Sequence, residues 1–403
     1  MLTKITGGIT APQGFKAAGV HAGIKKNGKE DVGILYSTVP AAAAAKFTTN
    51  KMAAAPVLVS QEAVSRGRAR AIVVNSGCAN ACTGEQGLTD ARTMAHQAAQ
   101  ALSLDDYEVL VASTGVIGIN LPMAKVTQGI NQAAAALSPS GHESMLAAIM
   151  TTDTFSKSCA YEFTLGGKLC KIAGIAKGAG MIHPNMATML SFITTDAAIE
   201  PSLLNQALSQ AVELSYNMIS VDGDTSTNDT VAVLANGQAG NELITATASP
   251  TYQEFYKALQ TVCTELAQLI VRDGEGATKF LAITVDGAAS FADAKCVAMA
   301  IAKSPLVKTA FFGQDPNWGR ILCAAGYSGA NVQPDKASLM IGGLTIVENG
   351  QGATRLDAAK LKEVMAAKDI AVTVHLGIGA ASATVWTCDF SYEYVKINGE
   401  YTT

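Results

Sequence analysis

The run Lys177-Gly-Ala-Gly-Met-Ile-His-Pro-Asn-Met-Ala-Thr-Met-Leu-Ser-Phe-Ile-Thr-Thr195 carries a glycine-rich, proline-containing loop straight into a segment that opens on Thr188 and reads as a strand. A threonine hydroxyl is a weak nucleophile unless a base lies beside it. The smallest such arrangement is a threonine whose own freed α-amino group, with an ordinary pKa of about 8, accepts the proton. That chemistry requires the preceding peptide bond to be cut. Ala187 is small, the loop before it is tight, and Thr188 starts the strand, so the Ala187–Thr188 bond is placed for attack by the Thr188 hydroxyl and an N-to-O acyl shift. On the residues alone, a plain strand threonine is the simpler reading.

Outward from Thr188–Thr195, the pattern alternates. Strand-like runs at Ala71–Val74, Glu108–Ala112, Leu281–Val285 and Ala371–His375 lie between helical patterns at Thr89–Leu102, Pro201–Ile219, Tyr252–Val271, Ala292–Lys303 and Asp357–Ala367. Alanine-rich helices with few charges suit packing against a sheet, so the class is α/β in layers. The 403 residues suffice for two or three domains. Turn residues at Thr284-Val-Asp-Gly-Ala-Ala-Ser290 suggest a first domain of 1–283 and a smaller α/β domain of 284–403.

Composition and motifs exclude much. A net charge of −4 gives no electrostatic reason to approach a phosphate backbone, so nucleic acid is not an expected partner. Charged residues make up only 15% against 49% apolar, which points to surface hidden in an oligomer. There is no apolar run long enough for a membrane span or a signal-peptide core, and the protein is expected to be cytoplasmic. The eight cysteines are scattered and read as reduced thiols, with Cys170, Cys263, Cys296, Cys323 and Cys388 in apolar or strand-like surroundings.

No phosphate-binding P-loop occurs. The stretch at 377–382, GIGAAS, lacks the third glycine of a dinucleotide fingerprint, and the residues after it look like strand rather than helix. The sequence GYSGA at 326–330 has the wrong spacing for a serine hydrolase elbow. The five histidines and the Cys78/Cys82 pair do not form a metal-ligand pattern, and Asp222–Asp229 is a turn or a site wall rather than a calcium loop. No metal and no bound cofactor are expected. Asn75–Asn80 and Ser113–Gly118 each follow a strand with glycines that could aim backbone amides at an anion, though ordinary glycine turns explain them as well.

The block KGAGMIHPNMATML resembles the cleavage-site signature of the ornithine acetyltransferase family, whose members are glutamate N-acetyltransferases of arginine biosynthesis. Further matches are ITAPQGFKAAGVHAGIK at 9–25, NSGCANACTG at 75–84, STGVIG and LPM at 113–123, MTTDT at 150–154, SVDGDTSTNDT at 220–230, RDGEGATK at 272–279 and DPNWGRI at 315–321, colinear over nearly the whole chain. The resemblance implies an αββα-type sandwich like that of the amino-terminal nucleophile aminopeptidases. It also implies self-cleavage between Ala187 and Thr188 into chains 1–187 and 188–403.

Thr188 would then take the acetyl group of N2-acetyl-L-ornithine and pass it to L-glutamate in a ping-pong reaction. Thr114 and Gly115 match the oxyanion positions. Thr151, Lys177, Thr188, Glu275, Asn398 and Thr403 match substrate-binding positions. A lysine suits a substrate carboxylate, and a glutamate suits a cationic amine. The bland readings of the same residues are strand-end turns, an exposed lysine, a turn carboxylate and a frayed tail.

For Asp315, Asn317, Trp318 and Arg320, no role follows. The resemblance leaves donor use open, and the reading leans to a bifunctional enzyme that also accepts acetyl-CoA, assembled as α2β2 from its two cleaved chains. The rivals are an amino-terminal nucleophile hydrolase of the same fold, in which water resolves the acyl-enzyme, and a non-catalytic small-molecule-binding oligomer.

Overall fold

The computed structural model describes residues 2–183 and 189–400. In chain order the strands are β1 (Thr3–Lys4), β2 (Phe15–Val20), β3 (Val32–Phe47), β4 (Arg68–Cys78), β5 (Val109–Val116), β6 (Lys157–Leu165), β7 (Lys168–Lys177), β8 (Leu190–Thr195), β9 (Ile219–Ser220), β10 (Thr230–Ala235), β11 (Phe280–Ala288), β12 (Ser338–Ile341), β13 (Leu344–Glu348), β14 (Gln351–Gly352), β15 (Asp369–His375) and β16 (Ala381–Cys388). Among the described residues they form two sheets. The first runs β1-β6-β7-β8-β10-β3-β4-β5 with β2 also on β3, and the second runs β14-β13-β12-β15-β11-β16-β9.

Strand β3 sets the shape of the first sheet. Pro40 has no N–H to offer a ladder, and the pairing of β3 with β4 shifts register between Tyr36 and Ala41. Before that break β3 pairs with β2, and after it Ala42–Phe47 pair with β10. The two halves of the sheet therefore meet along one strand. A single buried cluster draws Ile175, Leu190, Phe192 and Leu234 from one half and Leu35, Ile72, Val74 and Leu110 from the other, so the halves face each other. The small side chains of Ala41, Ala43 and Ala45 lie in that cluster at the fold line.

The outer faces are covered by helices. Pro201–Glu213 and Pro250–Arg272 cover one half. Ala55–Val64, Gly84–Leu102 and Met123–Ala135 cover the other. Helix, sheet, sheet and helix follow in layers, as the αββα expectation states. The strand period of two explains how one strand serves two cores. In β10, Val231, Val233 and Ala235 enter the outer cluster, while Ala232 and Leu234 enter the inner one.

The second sheet packs its own apolar cluster against helices Phe291–Lys303, Pro305–Phe312, Trp318–Gly326 and Ala358–Ala366. All four of these helices begin at residues whose side chains accept an orphan N–H: Ser290 from Asp293, Ser304 from Val307, Asn317 from Arg320 and Asp357 from Lys360. Strand β11 runs unbroken through 283 and 284, and the second sheet also takes Ile219–Ser220 from earlier in the chain.

Several boundaries differ from the sequence reading. The helix expected from Thr89 starts at Gly84, and the Thr89 hydroxyl donates to the Glu85 carbonyl inside it instead of capping. The helix from Pro201 stops at Glu213, because Tyr216–Met218 form a 3-10 turn that delivers Ile219 and Ser220 to pair with Trp386 and Thr387. After 377–382, the chain is strand only to Cys388. Tyr392–Glu400 is helix, with the Ser391 hydroxyl accepting the Glu393 N–H. The cysteines are free, and Cys296 and Cys323 are exposed rather than packed. The strand expected at Thr188 is described from Leu190.

Candidate active site

Thr114, Gly115, Thr151, Lys177, Glu275 and Asn398 line one pocket, together with Ala79, Ile117, Thr152, Gly180, Met181, Ser226 and Asn228. The six residues named first come from five separate segments. Thr114 and Gly115 sit near the carboxyl end of β5, and Lys177 ends β7. Thr151 follows helix His142–Ile149, Glu275 follows helix Pro250–Arg272, and Asn398 lies on the last helix. Ala187, Thr188 and Thr403 lie outside the described residues.

Two glycines allow this convergence. Gly115 has φ +132°, and a Cβ there would fall 2.3 Å from the Gly77 backbone, so β4 and β5 can approach only without one. A Cβ on Gly180 would lie 2.3 Å from Glu275 Oε2, so the carboxylate rests against a bare α-carbon. The Glu275 backbone N–H donates to Ala179 at 2.9 Å, and Asn398 Nδ2 donates to Glu275 Oε2 at 2.9 Å. The tail helix is thus part of the pocket wall and not frayed. Tyr394 on that helix also reaches the Asp222 carboxylate.

Lys177 is fully buried, and its ammonium donates to the Thr114 hydroxyl at 3.2 Å. Burial pushes its pKa down, against the nearby Asp153 charge that favours the ammonium. Asp153 accepts Gly178 N–H at 2.8 Å and Lys157 Nζ at 2.6 Å on one oxygen, and Thr151 N–H at 2.9 Å on the other. Burial alone would raise its carboxyl, but the Lys177 and Lys157 charges and the Gly178 N–H outweigh this and hold it at about 2.

The chain is anchored on both sides of the stretch around the expected scissile bond. On one side, Asp222 accepts the N–H groups of Met181 at 2.6 Å and Ile182 at 2.8 Å. Burial raises its carboxyl to about 6 despite those hydrogen bonds. On the other side, Asp229 Oδ1 accepts the Met189 N–H at 2.9 Å, and burial lifts its pKa well above the usual carboxylate range. Asp229 Oδ2 is buried and has no hydrogen-bond partner among the described residues.

The 222–229 loop is therefore a site wall. Ser226 and Asn228 line the pocket, and Asn228 Nδ2 ties Ala79 and Ser113 carbonyls together at 2.6 and 2.9 Å. Their density of hydroxyl and amide side chains was the one sequence signal for them. The 75–80 turn spends its polar groups internally: Asn75 bonds Cys78 and Ser113, and Ser76 bonds Ala148. The 315–320 motif is structural, since Asn317 caps helix Trp318–Gly326 through Arg320 N–H and Arg320 holds the Leu306 carbonyl. No cluster of metal ligands occurs among the described residues, and no described helix is long and apolar enough to cross a membrane.

A folded-over αββα layer whose pocket presents a buried lysine, a carboxylate and a strand-end hydroxyl beside a glycine is the frame of a small-molecule enzyme. The model of the ArgJ family matches residues 16–403. The arginine biosynthesis bifunctional protein ArgJ of Symbiobacterium thermophilum is 52% identical over 401 residues, covering 99% of each chain. That of Geobacter sulfurreducens is 52% identical over 391 residues, 97% of this chain and 99% of its own. A crystal structure of the arginine biosynthesis bifunctional protein from Bacillus halodurans shares 45% identity with a TM-score of 0.51, covering 53% of this chain and all of that one. The chain belongs to the ArgJ family. It is an acetyltransferase of arginine biosynthesis.

Proposed function

We propose that this chain transfers the acetyl group of N2-acetyl-L-ornithine to L-glutamate through an acetyl ester on Thr188. The observation that carries the reading is the convergence of Thr114, Gly115, Thr151, Lys177, Glu275 and Asn398, scattered over 285 positions of sequence, on one pocket. Thr188 is covalently joined to Met189, whose N–H is held by Asp229.

In the first half-reaction the Thr188 oxygen forms a bond to the acetyl carbon, and the C–N bond to ornithine breaks. The hydroxyl proton passes to the freed α-amine of Thr188 and on to the leaving nitrogen. In the second half-reaction the glutamate nitrogen forms a bond to the acetyl carbon, the ester C–O bond to Thr188 breaks, and a proton from that amine passes through the Thr188 α-amine to the threonine oxygen. The Thr114 hydroxyl and Gly115 N–H are the donors for the tetrahedral oxygen. Lys177 takes a substrate carboxylate, and Glu275, steadied by Asn398, takes a cationic amine; Thr151 and Thr403 complete the substrate contacts.

Before this the Ala187–Thr188 bond is cut by its own hydroxyl, leaving chains 1–187 and 188–403. The solved Bacillus halodurans chain is matched completely by 53% of this one, close to the share of residues 188–403, 216 of 403, which supports such a cut. No cofactor takes part, and acetyl-CoA serves as a second acetyl donor. The eight free cysteines support a reducing compartment, and we assign the cytoplasm. The low charge content supports an assembly, assigned as α2β2 and checked by sedimentation velocity.

The test is the intact mass under denaturing conditions of wild type beside Thr188→Ala, followed by acetylornithine consumption with and without glutamate. Two fragments from the wild type, one uncut species from the variant and glutamate-dependent turnover are expected. Turnover by Thr188→Ala at the wild-type rate would remove the mechanism. Glutamate-independent hydrolysis would favour the hydrolase reading.

A further inference from the structure

Beneath the pocket floor lies a cluster that the proposed chemistry does not use. Lys157 is fully buried and contacts both Asp153, at 2.6 Å, and Asp273. Asp273 also accepts Thr154 through its N–H and its hydroxyl. The side chains of all three charged residues are at most 1% exposed. Each end of the cluster reaches a different part of the pocket wall. Asp153 binds the backbone of Thr151 and of Gly178, the neighbour of Lys177, and Asp273 lies two residues before Glu275.

The charges are unevenly shared. Lys157 has two carboxylates in direct contact. Lys177, equally buried, has no carboxylate within ion-pair distance among the described residues, and its hydrogen bond goes to the neutral Thr114 hydroxyl. The groups that face Lys177 electrostatically are Asp153, Lys157, Glu275 and Asp229, with Lys25 a further cation nearby. Of the carboxylates, Asp153 is the strongest influence. It is fixed by three hydrogen bonds and held ionised by its neighbours.

We infer that Asp153 is a positioning residue for acetyl transfer: it supplies the counter-charge that keeps Lys177 an ammonium and, with Lys157 and Asp273, sets the spacing of Thr151, Lys177 and Glu275. Carboxylate recognition by Lys177 depends on it, although Asp153 touches no substrate. The inference rests on the functional reading above, in which Lys177 holds a substrate carboxylate.

The experiment is the pH profile of kcat/KM for acetylornithine, in the mature full-length enzyme, for wild type, Asp153→Asn and Asp153→Glu. An opposite charge at close range shifts a pKa by about one to three pH units. Asp153→Asn should therefore lose its activity on the alkaline side at least about one pH unit earlier than wild type, with KM raised about tenfold at pH 8 and kcat changed less. Asp153→Glu keeps the charge, so it should keep the wild-type alkaline limb while KM rises. In the Lys177→Met background, Asp153→Asn should add little, because the residue acts through Lys177.

A purely structural Asp153 would lower thermal stability and activity at all pH values alike, leaving the limb in place; that result overturns the inference. Should Asp153→Asn not accumulate as folded, cleaved protein, the Glu variant decides, since an alkaline limb displaced with the charge retained also overturns it. Wild type that shows no acetyl transfer at all would instead sink the functional reading.

Discussion

The two sheets handle polarity in opposite ways. Around the pocket of the first sheet, Asp153, Lys157, Lys177, Asp229, Asp273 and Glu275 are all buried. In the second, the core is built from residues such as Leu281, Ile283, Val285, Val372 and Val385, and its polar side chains sit largely at helix starts. The exceptions include Lys308, buried and bonded to Thr387 and Cys388, and Asp389, buried and accepting the N–H groups of Thr278 and Lys279. Burying charge is expensive unless each group is paired, and breaking one pair leaves the partner stranded. In the first region Lys177 and Glu275 line a pocket, and the paired Asp153, Lys157 and Asp273 lie behind them. The second region is arranged for stability, and the two should respond differently to substitution.

The sharpest separation is expected at Lys177→Met. Removing a buried charged contact costs on the order of 3–5 kcal/mol, so kcat/KM for acetylornithine should fall about a thousandfold, measured by initial rates on protein of verified fold. Thr114→Ala comes next: loss of one oxyanion donor costs about 3 kcal/mol in the barrier, so kcat should drop about a hundredfold with a smaller change in KM. A pure KM effect there would reassign Thr114 to ground-state binding.

In the second sheet, Ile283→Ala should lower unfolding free energy by about 3 kcal/mol while leaving kcat unchanged, read by denaturant melts beside the assay. A fall in kcat would show that the two regions are coupled. The smallest effect belongs to Asn317→Ala, which removes a helix cap worth about 1 kcal/mol. It should shift the melt slightly and spare turnover.

The legibility of these regions in sequence follows the same division. In the second sheet, local rules reach the strands Leu281–Val285 and Ala371–His375, which are plain apolar runs, and two of the four helices, Phe291–Lys303 and Ala358–Ala366, but miss the short helices Pro305–Phe312 and Trp318–Gly326. They failed where a long-range contact decides. The Pro201 helix yields to a strand pair with Trp386, and the tail forms a helix docked by Asn398 on Glu275. Thr114, Lys177 and Glu275 were reached through family motifs, whereas Asp153 and Asn228 were not singled out. Nothing in an isolated Asp-Thr or Asn-Asp pair states that topology will bury it beside a lysine or between two carbonyls.

The strand order of the first sheet has a consequence for the cut proposed at Ala187–Thr188. Strand β8 follows the cleavage point, yet it lies between β7, which precedes it, and β10, and β10 in turn pairs with β3 from the amino-terminal part. The first sheet is therefore built from both sides of that point, while each side carries one outer helix layer whole and the second sheet lies entirely after it. Refolding of the uncut chain is a unimolecular event. On the proposed cut, refolding of the two-chain enzyme would require separate polypeptides to meet, so its recovery from denaturant would depend on protein concentration, and cutting would act as a one-way step in the protein's life.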